Sequence, residues 1–213
     1  MKVMGLIGGM SWESSLEYYR IMNEEVRERL GGQHSAKILM FSVDFHEIEA
    51  CQVEDRWEDA TALLTDAARR LERGGADYLL ICTNTMHKVA DGVQRAVSIP
   101  LLHIGDATAE EVKRLGLSSV GLLGTRYTME QDFLKGYLSS RHGLEVIVPG
   151  EEARTAVHDI IYDELCLGKL VDESKERLLS IVAGLAADGA EGVILGCTEL
   201  PLLLRPDDSG RSL

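Results

Sequence analysis

The sequence predicts an α/β protein built as two similar parallel-sheet halves, and three observations carry that prediction. Short apolar runs alternate with longer segments of helical periodicity. Val120-Gly121-Leu122-Leu123-Gly124-Thr125 repeats the character of Met4-Gly5-Leu6-Ile7-Gly8-Gly9. A polar motif after one apolar run, Cys82-Thr83-Asn84-Thr85-Met86-His87, has an echo after another, Gly196-Cys197-Thr198-Glu199.

The elements follow in order. Lys2 to Ile7 reads as a buried strand, and Gly8-Gly9-Met10-Ser11-Trp12-Glu13 as a tight turn into a helix, with Ser11 as N-cap and Glu13 in the first turn. The glycines permit either a close strand-to-helix approach or ligand contact through backbone amides, and they match neither dinucleotide nor Walker A spacing. Lys37 to Val43 is the second strand, and Asp44 to Gln52 a loop entering a short helix. Trp57, Ala60, Leu63, Leu64, Ala67, Ala68 and Leu71 form one apolar helix face that Gly74-Gly75 terminates. Tyr78 to Thr83 is a third strand, Thr85 to Ala96 a helix, and Ile99 to Ile104 a fourth strand with Pro100 near its start.

In the second half Val120 to Thr125 is a strand, Thr128-Met129-Glu130-Gln131 a capping box, Glu145 to Val148 a strand, and Leu178, Leu179, Val182 and Leu185 mark a helix before Gly189. Laying Gly189-Ala190-Glu191 on Gly75-Ala76-Asp77 gives an offset of 114, close to the 116 of the first glycines. A duplication follows, with halves at 1–104 and 105–213. The same alignment sets Thr83 against Cys197, Cys82 against Gly196, Asn84 against Thr198 and Thr85 against Glu199. Adjacent strand residues point to opposite faces, so Thr83 is expected to face as Cys197 does while Cys82 points elsewhere. Continuing the repeat past Glu199 reaches the last residue before a final strand, so the second half is expected to lack its last strand and helix and to close on a polar tail, Pro206 to Leu213.

Bulk properties narrow the partners. A formal charge of -13 without a Lys/Arg run argues against nucleic acid and anionic membrane surfaces, leaving small molecules. The N-terminal apolar run is short for a signal peptide and no stretch nears the ~20 apolar residues of a membrane span, which makes cytoplasmic the expected location. Cysteines at 51, 82, 166 and 197 form no C-x-x-C pair and no metal-type spacing with His, so neither disulfide nor metal is expected.

Ligands of open parallel sheets bind beyond the carboxyl ends of strands, and two such halves facing each other would enclose one there. Acid/base groups on its two sides suit removal of a proton from one face of a carbon and its return on the other, which is racemisation without a cofactor. A thiol has about the right acidity for that abstraction, and Thr83, Asn84, Thr85 and Thr198 offer groups to hold a carboxylate.

Gly-Gly-Met-Ser-Trp-Glu at 8–13, Asn84-Thr85 with His87, and Gly196-Cys197-Thr198-Glu199 together resemble the aspartate/glutamate racemase family, from the first strand to about residue 204. The resemblance implies two domains related by a pseudo-twofold, a homodimer, an amino-acid substrate, and two catalytic cysteines working without pyridoxal phosphate or metal. Members carry Cys-Asn-Thr at the first site; here Thr83 occupies that slot and Cys82 comes one position early. The catalytic pair implied is therefore Cys197 and Thr83, the thiol abstracting and the hydroxyl delivering or relaying a proton. By the same resemblance Met10 and Gln52 lie in substrate-contacting loops, with Gln52 where aspartate-specific members place a basic residue. Lys169 is a candidate for a side-chain carboxylate, and Glu199 for orienting the site or capping the next helix. Two alternative readings go with the resemblance: a hydantoin racemase, maleate isomerase or arylmalonate decarboxylase, which share the fold and at least one cysteine, and a non-catalytic amino-acid-binding relative. Cys82 reads as a buried structural thiol, Cys51 and Cys166 as core or surface thiols, and His87 as a structural histidine.

Overall fold

The computed structural model describes residues 1–205 and 208. The chain divides into two compact units, Met1–Ile104 and Gly105–Leu213. In the first, β1 (Met4–Gly8), β2 (Ile38–Ser42) and β3 (Tyr78–Ile81) form a parallel sheet of order β2-β1-β3. Its helices are α1 (Trp12–Leu30), α2 (Phe45–Val53), α3 (Trp57–Arg73) and α4 (Ala90–Arg95), the last entered through a 3₁₀ turn at Thr85–Val89. The second unit repeats the plan with β4 (Ser119–Leu123), β5 (Glu145–Ile147) and β6 (Gly192–Leu195) in the order β5-β4-β6, also parallel. Its helices are α5 (Ile104–Arg114), α6 (Arg126–Glu130), α7 (Asp132–His142), α8 (Glu151–Asp159), α9 (Asp172–Ala187) and α10 (Leu200–Leu203). Among the described residues no helix is long and apolar enough to cross a membrane.

Each sheet is buried by its own helices. The face of α3 expected from its spacing sinks Ala60, Leu64, Ala67, Ala68 and Leu71 against Ile7, Leu79, Ile81 and Met86. In the second unit Leu178, Val182 and Leu185 of α9 meet Leu123, Met129, Val157 and Val193. A fully buried Leu such as Leu64 or Leu178 stabilises by about 1.5–3 kcal/mol, so these faces carry most of each unit's cohesion.

The hydrogen-bond ladders show the duplication atom by atom. Met4 faces Tyr78 across β1 and β3, and Val120 faces Gly192 across β4 and β6, which are the offsets of 116 and 114 that the sequence predicts. Both third strands are entered through a positive-φ glycine, Gly75 at +94° and Gly189 at +106°, whose successors bond back into the preceding helix. At the same joint Asp77 Oδ2 accepts the Val3 amide at 2.6 Å, and Glu191 Oε2 accepts the amides of Ser118 and Ser119 at 2.7 and 3.1 Å. Those donors hold the Glu191 carboxyl below its usual range. Gly5 and Gly121 leave no room for a side chain: a Cβ at Gly5 would lie 2.7 Å from Leu79 Cδ2 of β3, and one at Gly121 2.8 Å from Leu185 Cδ1 of α9.

Four local expectations change. The fourth strand shrinks to a single bridge, Leu79 to Leu101, because Pro100 has no N–H and its neighbours' donors go to side chains. Ser98 and Ile99 donate to Glu72 Oε1, and Leu101 donates to Gln94 Oε1. The capping box is displaced one turn: Thr125 caps α6 by accepting from the Thr128 amide, and Thr128 lies inside the helix. Ser11 stands at the N-cap of α1 without a side-chain cap bond, its carbonyl accepting instead from Ser15 Oγ at 3.1 Å. Asp44 to Gln52 is more ordered than expected, since Asp44 caps α2 through the His46 amide. The predicted polar tail, Pro206 to Leu213, lies outside the described residues except for Asp208, which pairs with Lys175 at 2.8 Å.

His87 ties the exit of β3 to the end of the first unit. It is 4% exposed; its Nδ1 donates to the Thr83 carbonyl at 2.8 Å while its Nε2 accepts the Ile104 amide at 3.1 Å. Both bonds need the neutral imidazole. Burial, and then the His103 ring 4.6 Å away, push its pKa down to about 4. The unfolded chain, with a histidine near 6.5, therefore binds the proton first as pH falls. The stability conferred by neutral His87 is complete above about pH 6.5 and is lost as pH falls towards about 4. Urea titrations across that window should show a slope of unfolding free energy against pH larger in the native chain than in His87→Asn, by up to ~1.4 kcal/mol per pH unit, the value for one proton. Equal slopes would remove His87 from this role.

Candidate active site

Each unit carries its candidate residues at one strand end, and the ladders make the two strand ends equivalent. Beyond β3 the ladder runs one residue further, with the Cys82 amide donating to Ile7 O at 2.9 Å; beyond β6 the Gly196 amide donates to Leu123 O at 2.6 Å. Ile7 and Leu123 are themselves equivalent, so Cys82 matches Gly196 and Thr83 matches Cys197. At Gly196 a Cβ would meet Leu123 O at 2.9 Å and the Thr128 methyl at 3.0 Å, so the second unit has no room for a side chain where the first carries Cys82.

Cys82 is fully buried. Ile81 points into the core beneath α3, so Cys82 points to the opposite face, which α1 covers. Ser14 Oγ donates to the Cys82 carbonyl at 3.0 Å, and burial pushes the thiol up to about 12. A protonated thiol sealed under a helix is a packing group, as the sequence suggests.

Thr83, Asn84 and Thr85 are half-buried where the chain leaves β3. His87 holds the Thr83 carbonyl from one side, and the Asn84 carbonyl accepts the His87 amide at 3.0 Å. The backbone here is thus pinned by internal bonds. Gln52 reaches this turn from α2, its Nε2 lying 3.2 Å from Met86 Sδ. Met10 is only 3% exposed and packs in the core with Ile48 and Cys51, so its side chain serves packing.

The glycine turn before α1 is shaped by close packing. The Gly9 amide donates to Ser15 Oγ at 2.8 Å, and a Cβ on Gly9, at φ +92°, would sit 2.3 Å from Val43 O. One amide that could have faced a ligand is therefore committed inside the protein.

At the second strand end Cys197 is half-buried, Thr198 exposed and Glu199 half-buried. One carboxylate oxygen, Glu199 Oε2, accepts from both Cys197 Sγ and Thr198 Oγ1, each at 2.9 Å. Burial, followed by the negative charge and hydrogen bond of Glu199, pushes the Cys197 thiol well above its ordinary value. The Glu199 backbone amide points at the same sulfur and works in the opposite direction, favouring thiolate. The thiol therefore donates to a carboxylate oxygen that stands beside it. The sequence separation places Glu199 near Cys197 but cannot show this bond, which depends on the carboxylate folding back over its own turn.

Lys169 follows the left-handed Gly168 after the 3₁₀ turn Leu165–Leu167. It is exposed, its Nζ 3.4 Å from the Asp163 carbonyl, and its backbone amide donates to Glu164 O. Among the described residues no group of three or more His, Cys, Asp or Glu is arranged to hold a metal ion.

The chain as a whole is similar to known proteins. A crystal structure of a candidate Asp/Glu racemase from Yersinia pestis is 51% identical, with a TM-score of 0.96 over 100% of this chain and 92% of that one. An aspartate racemase homologue from Pyrococcus horikoshii OT3 is 40% identical, with a TM-score of 0.87 over the same shares of each chain. The broad specificity amino-acid racemase RacX of Bacillus subtilis (strain 168) is 33% identical over 84 residues, which span 39% of this chain and 36% of RacX. Residues 7–211 match the family model described as Asp/Glu/Hydantoin racemase, and the chain belongs to that family.

Proposed function

We propose that the protein interconverts the enantiomers of an amino acid, in the aspartate/glutamate class, by moving the Cα proton between Cys197 and Thr83 without a cofactor. The observation that carries this reading is the ladder register, which sets Thr83 and Cys197 at equivalent strand ends and leaves Cys82 buried. Family membership supports amino-acid racemisation in general terms.

In this mechanism the Cys197 proton passes to Glu199 as substrate binds, and the resulting thiolate removes the Cα proton. The electron pair of the broken C–H bond moves into the substrate carboxylate, whose developing charge is held by donors from Asn84, Thr85 and Thr198. The electron pair returns to Cα as the Thr83 hydroxyl delivers a proton to its opposite face; Thr83 recovers a proton from solvent and Glu199 releases to solvent the one it took, leaving Cys197 a thiol again. Gln52 and Lys169 are assigned to the substrate side chain. A neutral Gln at 52 fits a tolerant pocket better than strict aspartate recognition.

A thiol and a hydroxyl are unequal partners, so kcat and KM are expected to differ between the L and D forms. Proton NMR in deuterium oxide, over aspartate, glutamate and neutral amino acids of both hands, should show Cα exchange with inversion for the wild type. Cys197→Ser should abolish exchange, and Cys82→Ala should leave it within a few-fold. Retained exchange in Cys197→Ser would sink the assignment, and binding without exchange in the wild type would mark a ligand-binding protein instead.

Glu199→Gln gives a separate reading. It removes both the charge and the proton acceptor beside the sulfur, so the thiol pKa falls and the rising alkaline limb of kcat moves to lower pH. An unmoved pH limb would show that Glu199 only supports the fold.

A further inference from the structure

Cys166 is the exposed one of the four thiols, and no step of the proposed reaction uses it. The duplication fixes where it stands. Leu64 and Leu71 of α3 recur 114 residues later as Leu178 and Leu185 of α9, all four buried. The same step carries Cys51 to Leu165, each 2% exposed, and Met86 to Leu200, each fully buried. It also carries Gln52 to Cys166. In the first unit Gln52 leans on the turn that leaves β3, its Nε2 lying 3.2 Å from Met86 Sδ. Cys166 therefore stands against the equivalent turn leaving β6, where the Leu200 amide donates to Cys197 O at 3.2 Å.

Two observations within the second unit agree. Leu165 and Leu200 belong to the apolar cluster on which Cys197 packs, so the residue before Cys166 and the turn that holds Cys197 share one core. A negative charge on Cys166 opposes ionisation of Cys197, which puts the two sulfurs within electrostatic reach of each other. The backbone that carries Cys166 is irregular and lightly held. It runs from a π-helical turn at Ile160–Glu164 through the 3₁₀ turn Leu165–Leu167 to the left-handed Gly168. Leu165 anchors it, whereas Leu167 is 63% and Leu170 59% exposed. No C-x-x-C spacing announces the pair along the chain, because the fold of the second unit is what sets it together.

We propose that Cys166 and Cys197 form a reversible disulfide when the protein meets a hydroperoxide, with Cys166 the thiol that is oxidised first. Exposure sets the order: Cys166 is open to solvent, while Cys197 is half-buried with its thiol hydrogen-bonded to Glu199 Oε2 at 2.9 Å. The Cys166 thiolate attacks one peroxide oxygen and the O–O bond breaks. The far oxygen leaves as water or an alcohol, taking up the proton the thiol lost, and Cys166 becomes a sulfenic acid. Cys197 then passes its proton to Glu199, and its sulfur attacks the sulfenic sulfur. The S–O bond breaks, and the departing hydroxide takes the proton from Glu199 and leaves as water. Two thiols are oxidised and one peroxide is reduced, with no further reactant. The bond withdraws Cys197 from chemistry and keeps it off the irreversible sulfinic rung, and a dithiol restores both thiols.

Peptide mapping of the full reduced chain after a small excess of hydrogen peroxide tests this without reference to activity. Lys169 and Arg177 lie between the two thiols, so trypsin puts them on different fragments. The wild type should give a fragment pair joined through Cys166 and Cys197, lighter than its parts by two hydrogens and released by dithiothreitol. Loss of Cα exchange, and its return with dithiothreitol, should run in parallel; that second readout rests on the racemase proposal. Cys166→Ser should keep exchange within a few-fold before oxidation and give no joined pair. Under peroxide it should lose exchange in a form that dithiothreitol does not restore, with two oxygens added to the fragment carrying Cys197. A joined pair in a wild type that shows no exchange would sustain this inference and remove the racemase one. Oxidised wild type with Cys166 and Cys197 unjoined, or with Cys197 joined to Cys51 or Cys82, would overturn it.

Discussion

The arrangement of each strand end depends on one backbone hydrogen bond, Cys82 N–H to Ile7 O in the first unit and Gly196 N–H to Leu123 O in the second. Each carries a parallel ladder one residue past its strand and fixes which side chain is the last to be held by the sheet. In the first unit that residue is a cysteine under a helix; in the second it is a glycine that cannot be anything larger, because the Thr128 methyl and Leu123 O occupy the space. The next residue in each case turns out of the sheet. A ladder shifted by one would exchange the roles of Cys82 and Thr83 and put a different chemistry at the strand end.

Much of this was legible in the sequence because it rests on spacing. The offset of the glycine turns Gly75 and Gly189 and the offset of β1 to β4 are properties of the chain, and the ladders only realise them. The apolar face of α3 was legible for the same reason. What escaped depends on which side chain captures which backbone donor. Glu72 and Gln94 take the amides that a fourth strand would have used, and Thr125 competes successfully with Thr128 for the cap of α6. Neither competition leaves a periodic mark.

The candidate site was legible to the same depth and no further. Its strand-end residues follow from the alignment of the halves, but the single carboxylate oxygen shared by Cys197 and Thr198 follows from a side-chain conformation of Glu199. Met10 illustrates the converse: a position in a loop after the first strand suggests exposure, yet the residue is drawn into the core beside Ile48. Loop membership says where the backbone goes, and the neighbouring apolar surface decides where the side chain goes.

The unequal strand ends have a consequence that belongs to thermodynamics. Mirror-image amino acids in water have the same free energy, so under the proposed reaction a catalyst that uses a thiol in one direction and a hydroxyl in the other cannot enrich either hand at equilibrium. The Haldane relation then requires kcat/KM to be the same in both directions. Whatever asymmetry Thr83 introduces must appear as paired changes in turnover and saturation: the enantiomer that is processed slowly is also the one that saturates the protein first.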